Sequence, residues 1–448
     1  MNDMTEGRIL PKIFNFAVFV FIGGLLQNLY LIIDSIILGQ YVGESAIASV
    51  GIANPINFII IGFLMGIAYG FGVIMAKSFG AGNFEQFRKY FFNSIVLAFG
   101  IGIFFTILLS ITNTYILKIV NTPNDLFNST HSFLFALYLG CTATLLYNLF
   151  AATLRSIGNS LTPVLFLLFA VIMNAIIAYV LVAILNYGVV GSAVATVFSQ
   201  GLSAVTCYFY IKKKYPQIKL SKKDWHFDKN YAKDLIVQGV PMGLQFSFTG
   251  IGLIVVQNFL NDFGTNYIAG FSIAARIQNI VVYVYVALGT AISTFISQNV
   301  GAKKMNRIRE GMKLCTIATI SLALLGSIIV KLFGKNFVVL FTSTPNEQLT
   351  QAVTTYFDMV YWAYIPLALL ILYRNALQGY GFAITAMFAG IVELVLRVVV
   401  VVFFTASLGY SAICLSDSVT WIITAIILII EYVVLTKIHK KKYKEYYI

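Results

Sequence analysis

Asp34 is the first residue of this chain placed to do chemistry, because it stands alone among apolar neighbours in Leu26-Gln-Asn-Leu-Tyr-Leu-Ile-Ile-Asp34-Ser. Gln27, Tyr30 and Asp34 recur at helical spacing and share one face. Such a face cannot favour lipid, and an ionisable residue within a membrane span is costly enough to imply a role. A carboxylate there can take up and release a proton, or offer a charged oxygen to a small cation. Glu393 and Arg397 stand four apart and read as an i,i+4 pair, a common way to keep charges among helices. Arg276 needs an acid, for which Asp358, Asp417 and Glu393 are the candidates; Asp358 and Asp417 also read as solvated residues near outer span ends.

Catalysis finds little support. His131, His226 and His439 fall at span edges or in polar segments, and no Ser/His/Asp or His/Glu metal pattern appears. Gly80-Ala81-Gly82 and Gly301-Ala302-Lys303 lack the strand and the Gly-Lys-Ser/Thr of a phosphate loop, so they read as turns. Cys141, Cys207, Cys315 and Cys414 are scattered singly and read as small core residues. The reading is a protein that is no enzyme and uses no cofactor.

The elements that position these residues follow from composition. Of 448 residues, 59% are hydrophobic and 10% charged, where soluble domains carry about 25% charged. Reading apolar runs against polar breaks gives twelve spans, near 13–39, 46–76, 90–112, 130–153, 161–185, 190–211, 233–260, 266–298, 313–333, 350–378, 383–406 and 410–437. The net charge of +13 gathers in the link from Lys212 to Lys233, in the tail at Lys437, Lys440, Lys441, Lys442 and Lys444, and in short turns, where Arg155 and Arg374 are also counted. That distribution is an orientation signal with both termini cytoplasmic, and it removes the nucleic-acid reading. No cleavable signal peptide is evident, so the chain is expected to stay in the cytoplasmic membrane.

The chain also repeats itself. Gly43 to Ala53 aligns without a gap on Gly264 to Ala274, Gly80-Ala81 on Gly301-Ala302 and Arg88 on Arg309. Thr122-Pro-Asn-Asp125 then matches Thr344-Pro-Asn-Glu347, and Leu154, Gly158 and Thr162 match Leu377, Gly381 and Thr385. The expected fold is an all-α polytopic membrane protein: two homologous six-helix lobes, 1–211 and 233–448, joined by a basic linker at 212–232. Their pseudo-twofold axis should run along the membrane normal. Gly62, Gly66 and Gly70 recur every four residues in the second span and predict close helix packing inside the first lobe.

Several motifs in this order resemble the multidrug and toxic compound extrusion (MATE) family over essentially the whole chain. They are Leu26-Gln-Asn-Leu-Tyr with Asp34 and Gly39-Gln-Tyr-Val-Gly43, then Tyr147-Asn148 with Leu154-Arg-Ser-Ile-Gly158-Asn, Gly188-Val-Val-Gly191-Ser-Ala-Val-Ala-Thr196 and Ser297-Gln-Asn-Val-Gly-Ala302. The resemblance implies a secondary antiporter that exports organic cations and other small-molecule drugs across the bilayer against inward H⁺ or Na⁺, by alternating access. It is closer to the DinF-type branch, in which a first-span aspartate like Asp34 is supported by groups matching Asn174 and Thr196. That branch often carries a second aspartate where this chain has Ala178, and the seventh-span stretch Gly239 to Thr249, where another branch uses a glutamate, has no acid. Gln27, Tyr30, Asn148, Arg276 and Glu393 are expected in the substrate cleft or its polar network, and the chain is read as a monomer. The alternative is a lipid-linked glycan flippase of the related superfamily, toward which only Arg276 and Arg397 lean.

Overall fold

A computed structural model describes residues 3–340 and 346–442; Thr344 and Pro345 of the repeat and Lys444 of the tail lie outside the described residues. The first half forms α1 (Ile9–Tyr41), α2 (Glu44–Gly80), α3 (Phe84–Ile119), α4 (Asn124–Leu139), α5 (Cys141–Ser156), α6 (Leu161–Ala178) with a π-helical extension (Tyr179–Ile184), and α7 (Gly188–Lys214). The second half forms α8 (Lys229–Asn261), α9 (Thr265–Gly301), α10 (Met305–Phe333), α11 (Glu347–Val360), α12 (Tyr364–Tyr380), α13 (Ala383–Leu408) and α14 (Tyr410–Lys442). No strand occurs among the described residues. Among the described residues, eleven stretches are long and apolar enough to cross a bilayer, with α11 and α12 in one of them, and the bent pair α4–α5 makes the twelfth. The protein is an all-α, multi-pass membrane protein.

The lipid-facing surface is written in the sequence. On α3, Ile103, Ile107, Ile111 and Tyr115 recur every four residues and are exposed, while Ala98, Gly102, Leu109, Asn113 and Leu117 are buried. A stripe of large apolar side chains with no protein partner is what a helix presents to acyl chains.

The repeat is imprinted in the backbone. Gly43 and Gly264 hold φ of 104° and 86° directly before α2 and α9, and Gly158 and Gly381 hold 80° and 93° just after α5 and α12. These left-handed values favour glycine, which has no Cβ to clash. The fourth span is not the continuous helix 130–153 expected from the sequence, because α4 and α5 meet at a 48° bend. Gly140 lies at the bend, where a Cβ would run into Val197 of α7. A break strands backbone carbonyls, which lipid cannot satisfy. The Thr106 hydroxyl donates to Tyr138 O at 2.9 Å beside this break, and in the second half Ser327 donates to Tyr361 O at 2.7 Å at the junction of α11 and α12.

Contacts divide the chain into two compact units, one spanning Val18–Ser247 and the other joining Met4–Ala17 to the chain from Phe248 onward. The boundaries of these units fall inside α1 and α8. In the first unit, the glycine stripe of α2 explains why the start of α8 belongs there. A Cβ on Gly66 would lie 2.5 Å from Met242 O, and one on Gly70 2.5 Å from Gly239 Cα. The stripe thus packs on α8 and not, as its sequence position suggested, within the first six spans; lipid offers no hydrophobic drive between helices, so backbone proximity supplies the contact. In the second unit, Met4 N–H donates to Gln298 Oε1 at 2.9 Å, Asn299 Nδ2 to Met4 O at 3.2 Å and Lys304 Nζ to Thr5 O at 3.0 Å. The four cysteines are buried and unpaired with one another.

Candidate functional site

In the first unit, Asp34 on α1 meets α6 and α7. The Thr196 hydroxyl donates to Asp34 Oδ2 at 3.4 Å. With the Asn174 amide oriented by its neighbours, its nitrogen donates to Asp34 Oδ1 at 3.2 Å, while its oxygen accepts from Tyr30 OH at 3.0 Å and Thr196 N–H at 3.3 Å. Tyr30 OH also lies 3.4 Å from Ser199 Oγ, which donates to Thr196 O at 3.0 Å. Ser192 is buried one turn before Thr196, and its hydroxyl has no hydrogen-bond partner among the described residues. Among the described residues no basic side chain pairs with Asp34.

Local sequence explains the assembly. Asp34 and Tyr30 share a face of α1 by four-residue spacing, and Ser192, Thr196 and Ser199 make a polar stripe on α7. Asn174 is the lone amide of α6, with Ala178 fully buried one turn later and the π-helical turn following at once. π-turns are rare and recur at functional sites. A carboxylate, three hydroxyls, a phenol and an amide oxygen together form an all-oxygen neighbourhood that a proton or a hard cation can use.

The structure brings Asp34, Asn174, Thr196 and Tyr30 together. Gln27, two helical turns before Asp34, is exposed and takes no part in that network. Asn148 is buried but donates to Thr144 O of its own helix at 2.9 Å. Ser192 and Ser199 were missed in the sequence, although their spacing with Thr196 was a readable signal.

In the second unit the acids are arranged differently. Glu393 pairs with Arg374 of α12, and Arg397 with Asp417 of α14 at 3.1 Å, so the expected Glu393–Arg397 pair does not form. Long guanidinium side chains reach neighbouring helices, and each acid is better matched there than along its own helix. Tyr356 OH donates to Asp417 Oδ2 at 3.2 Å and also bonds Gln278. All four charged groups are buried. Asp358 is half-exposed and pairs with Lys331 at 2.7 Å. Arg276 is exposed, and each acid proposed for it is taken elsewhere. Arg374, read as a turn residue, is instead buried in α12.

Comparison with known proteins agrees with this fold. The chain is 25% identical over 346 residues to the probable multidrug resistance protein YpnP of Bacillus subtilis (strain 168), covering 77% of each. It is 25% identical over 331 residues to the probable multidrug resistance protein NorM of Thermotoga maritima, covering 71% of this chain and 69% of that one. An outward-facing multidrug resistance MATE family transporter of the MOP superfamily superposes with a TM-score of 0.88 at 18% identity, covering 96% of both chains. The MatE family model matches residues 20–180 and 241–403, once in each half. The chain therefore belongs to the MatE family.

Proposed function

We propose that the protein exports small organic compounds, cationic ones in particular, across the cell membrane by antiport against inward H⁺ or Na⁺, with Asp34 as the coupling residue. The observation that carries this reading is a half-buried carboxylate met only by neutral donors, Thr196 and Asn174, while the buried acids of the second unit are each met by an arginine. An uncompensated carboxylate in a membrane span needs a cation to complete it. The ion that completes it drives exchange if the two conformations bind that ion with different affinity. Ala178 leaves Asp34 as the one acid of the cluster, which favours a proton; Thr196, Ser192 and the Asn174 amide supply the further oxygens a Na⁺ would want.

The relatives' description as multidrug resistance proteins supports drug-like cargo. The basic link and tail support cytoplasmic placement of both termini. A glycan flippase needs a cationic cavity, and Arg397 is neutralised by Asp417.

The test is efflux of ethidium, a flat organic cation, from vesicles carrying the wild type or Asp34→Asn under imposed pH and Na⁺ gradients. Efflux by the variant should fall to the level of empty vesicles under both gradients. Undiminished coupled efflux would contradict the assignment.

A further inference from the structure

We propose that the link between α7 and α8 is a docking surface for the headgroups of anionic phospholipids. The link is an ordered platform. Tyr215, Ile218 and Asp224 are buried, and Arg88 of α3 holds the segment by donating to Gln217 O at 3.0 Å and to Asp224 Oδ1 at 3.3 Å. Ser221 closes a small turn on Asp224 Oδ2, through its N–H at 2.8 Å and its hydroxyl at 2.7 Å. Asp228 N–H donates to Asn93 Oδ1 at 3.0 Å, and Tyr90 OH to Asp234 Oδ2 at 2.7 Å.

These contacts sort the charge. The acids Asp224 and Asp234 are engaged by the protein itself, and the Asp228 carboxylate accepts from Asn230 N–H at 2.8 Å. Burial works to raise the Asp224 carboxyl, but the Ser221 and Arg88 hydrogen bonds outweigh it and hold the group below the usual carboxylate range. Lys212, Lys213, Lys214, Lys219, Lys222, Lys223 and Lys229 are all exposed, and none forms an ion pair within 4.0 Å among the described residues. Between them, Trp225 is 67% and Phe227 43% exposed. Trp225 is not loose: one face stacks on Phe92 at 6.0 Å between ring centroids, which leaves the other presented outward.

An orientation signal needs only the lysines. Outward aromatics among them are disfavoured in water, favoured at the headgroup level of a bilayer, and, with clustered lysine, are the footprint of an anionic lipid surface. The turn between α9 and α10, the repeat of the α2–α3 turn, marks the contrast, since there Lys304 and Arg307 are spent on the carbonyls of Met4, Thr5 and Glu6. There Lys304 and Arg307 are directed at the chain's own backbone, whereas the lysines of the link are offered outward.

The full chain in maltoside micelles is titrated with dioleoylphosphatidylglycerol and, separately, with dioleoylphosphatidylcholine, reading retained lipid by native mass spectrometry and the midpoint of thermal unfolding. Micelles have no sides, so the result does not depend on the membrane topology or on the antiport reading. The anionic lipid should bind about tenfold or more tightly than the zwitterionic one, with an affinity that falls as salt rises. Joint Lys213→Gln, Lys214→Gln, Lys219→Gln, Lys222→Gln and Lys223→Gln should erase that preference, the same five changed to Arg should keep it, and Trp225→Ala should weaken binding about threefold. Equal binding of the two lipids, or an unchanged preference in the glutamine variant, overturns the proposal. So does equal competition by inorganic phosphate, which would mark a simple ion site, or tighter binding of an oligonucleotide, which would mark a polyanionic partner.

Discussion

The two units answer the same problem, a carboxylate within the membrane, in opposite ways. In the first, Asp34 is met by hydroxyls and an amide from α6 and α7; in the second, Glu393 and Asp417 are met by Arg374 and Arg397 across α12, α13 and α14. An acid locked to a guanidinium has its charge compensated in every state of the protein and serves as a clamp. One met by neutral donors is complete only when something positive arrives. The proposed function thus assigns exchange to the first unit and rigidity to the second, although the backbone repeats, down to the positive-φ glycines at Gly43 and Gly264.

The sharpest way to break this contrast is to remove one partner of a clamp. Arg374→Gln leaves Glu393 buried without its counter-charge and should destabilise the protein by about 3–5 kcal/mol, read as a loss of thermal or denaturant stability in detergent. A small effect would mean that the pair is not a clamp. Neutralising both partners, Arg374→Gln with Glu393→Gln, should restore most of that loss, because no isolated charge remains buried. Asp34→Asn should change stability by no more than about 1 kcal/mol, since an amide can keep a hydrogen bond with Thr196 and with Asn174, yet it should end coupled efflux. A loss of stability as large as that of Arg374→Gln would place Asp34 among the clamps. Thr196→Val removes one hydroxyl of about 0.5–1.5 kcal/mol, so the ion concentration for half-maximal efflux should rise several-fold. Ser199→Ala, one bond further from the carboxylate, should shift it less.

Much of the first site was legible because Asp34 and Tyr30 sit on one helix, where spacing alone fixes a shared face. Asn174 and Thr196 lie far away in the chain, and only the motif resemblance linked them to Asp34. Gln27 shares that face two turns earlier but ends exposed, because a common helix face does not fix how far along the helix the neighbouring helices reach. The second unit was harder. The i,i+4 spacing of Glu393 and Arg397 permits a pair, but sequence cannot weigh it against partners on α12 and α14, and a tally of basic residues by side cannot tell a loop arginine from the buried Arg374. The span count was readable from apolar runs, whereas the need for glycine at the bend is set by Val197, a tertiary neighbour that leaves no room for a Cβ on Gly140.

The central claim is that a cation and the transported compound compete through Asp34. Purified protein in weakly buffered detergent solution, titrated with ethidium while pH and free Na⁺ are recorded, tests it directly. Wild type should release about one H⁺, or one Na⁺ if Na⁺ is the coupling ion, for each ethidium bound, and Asp34→Asn should bind ethidium with no release of either. Equal release from the variant, or none from the wild type, would contradict the account.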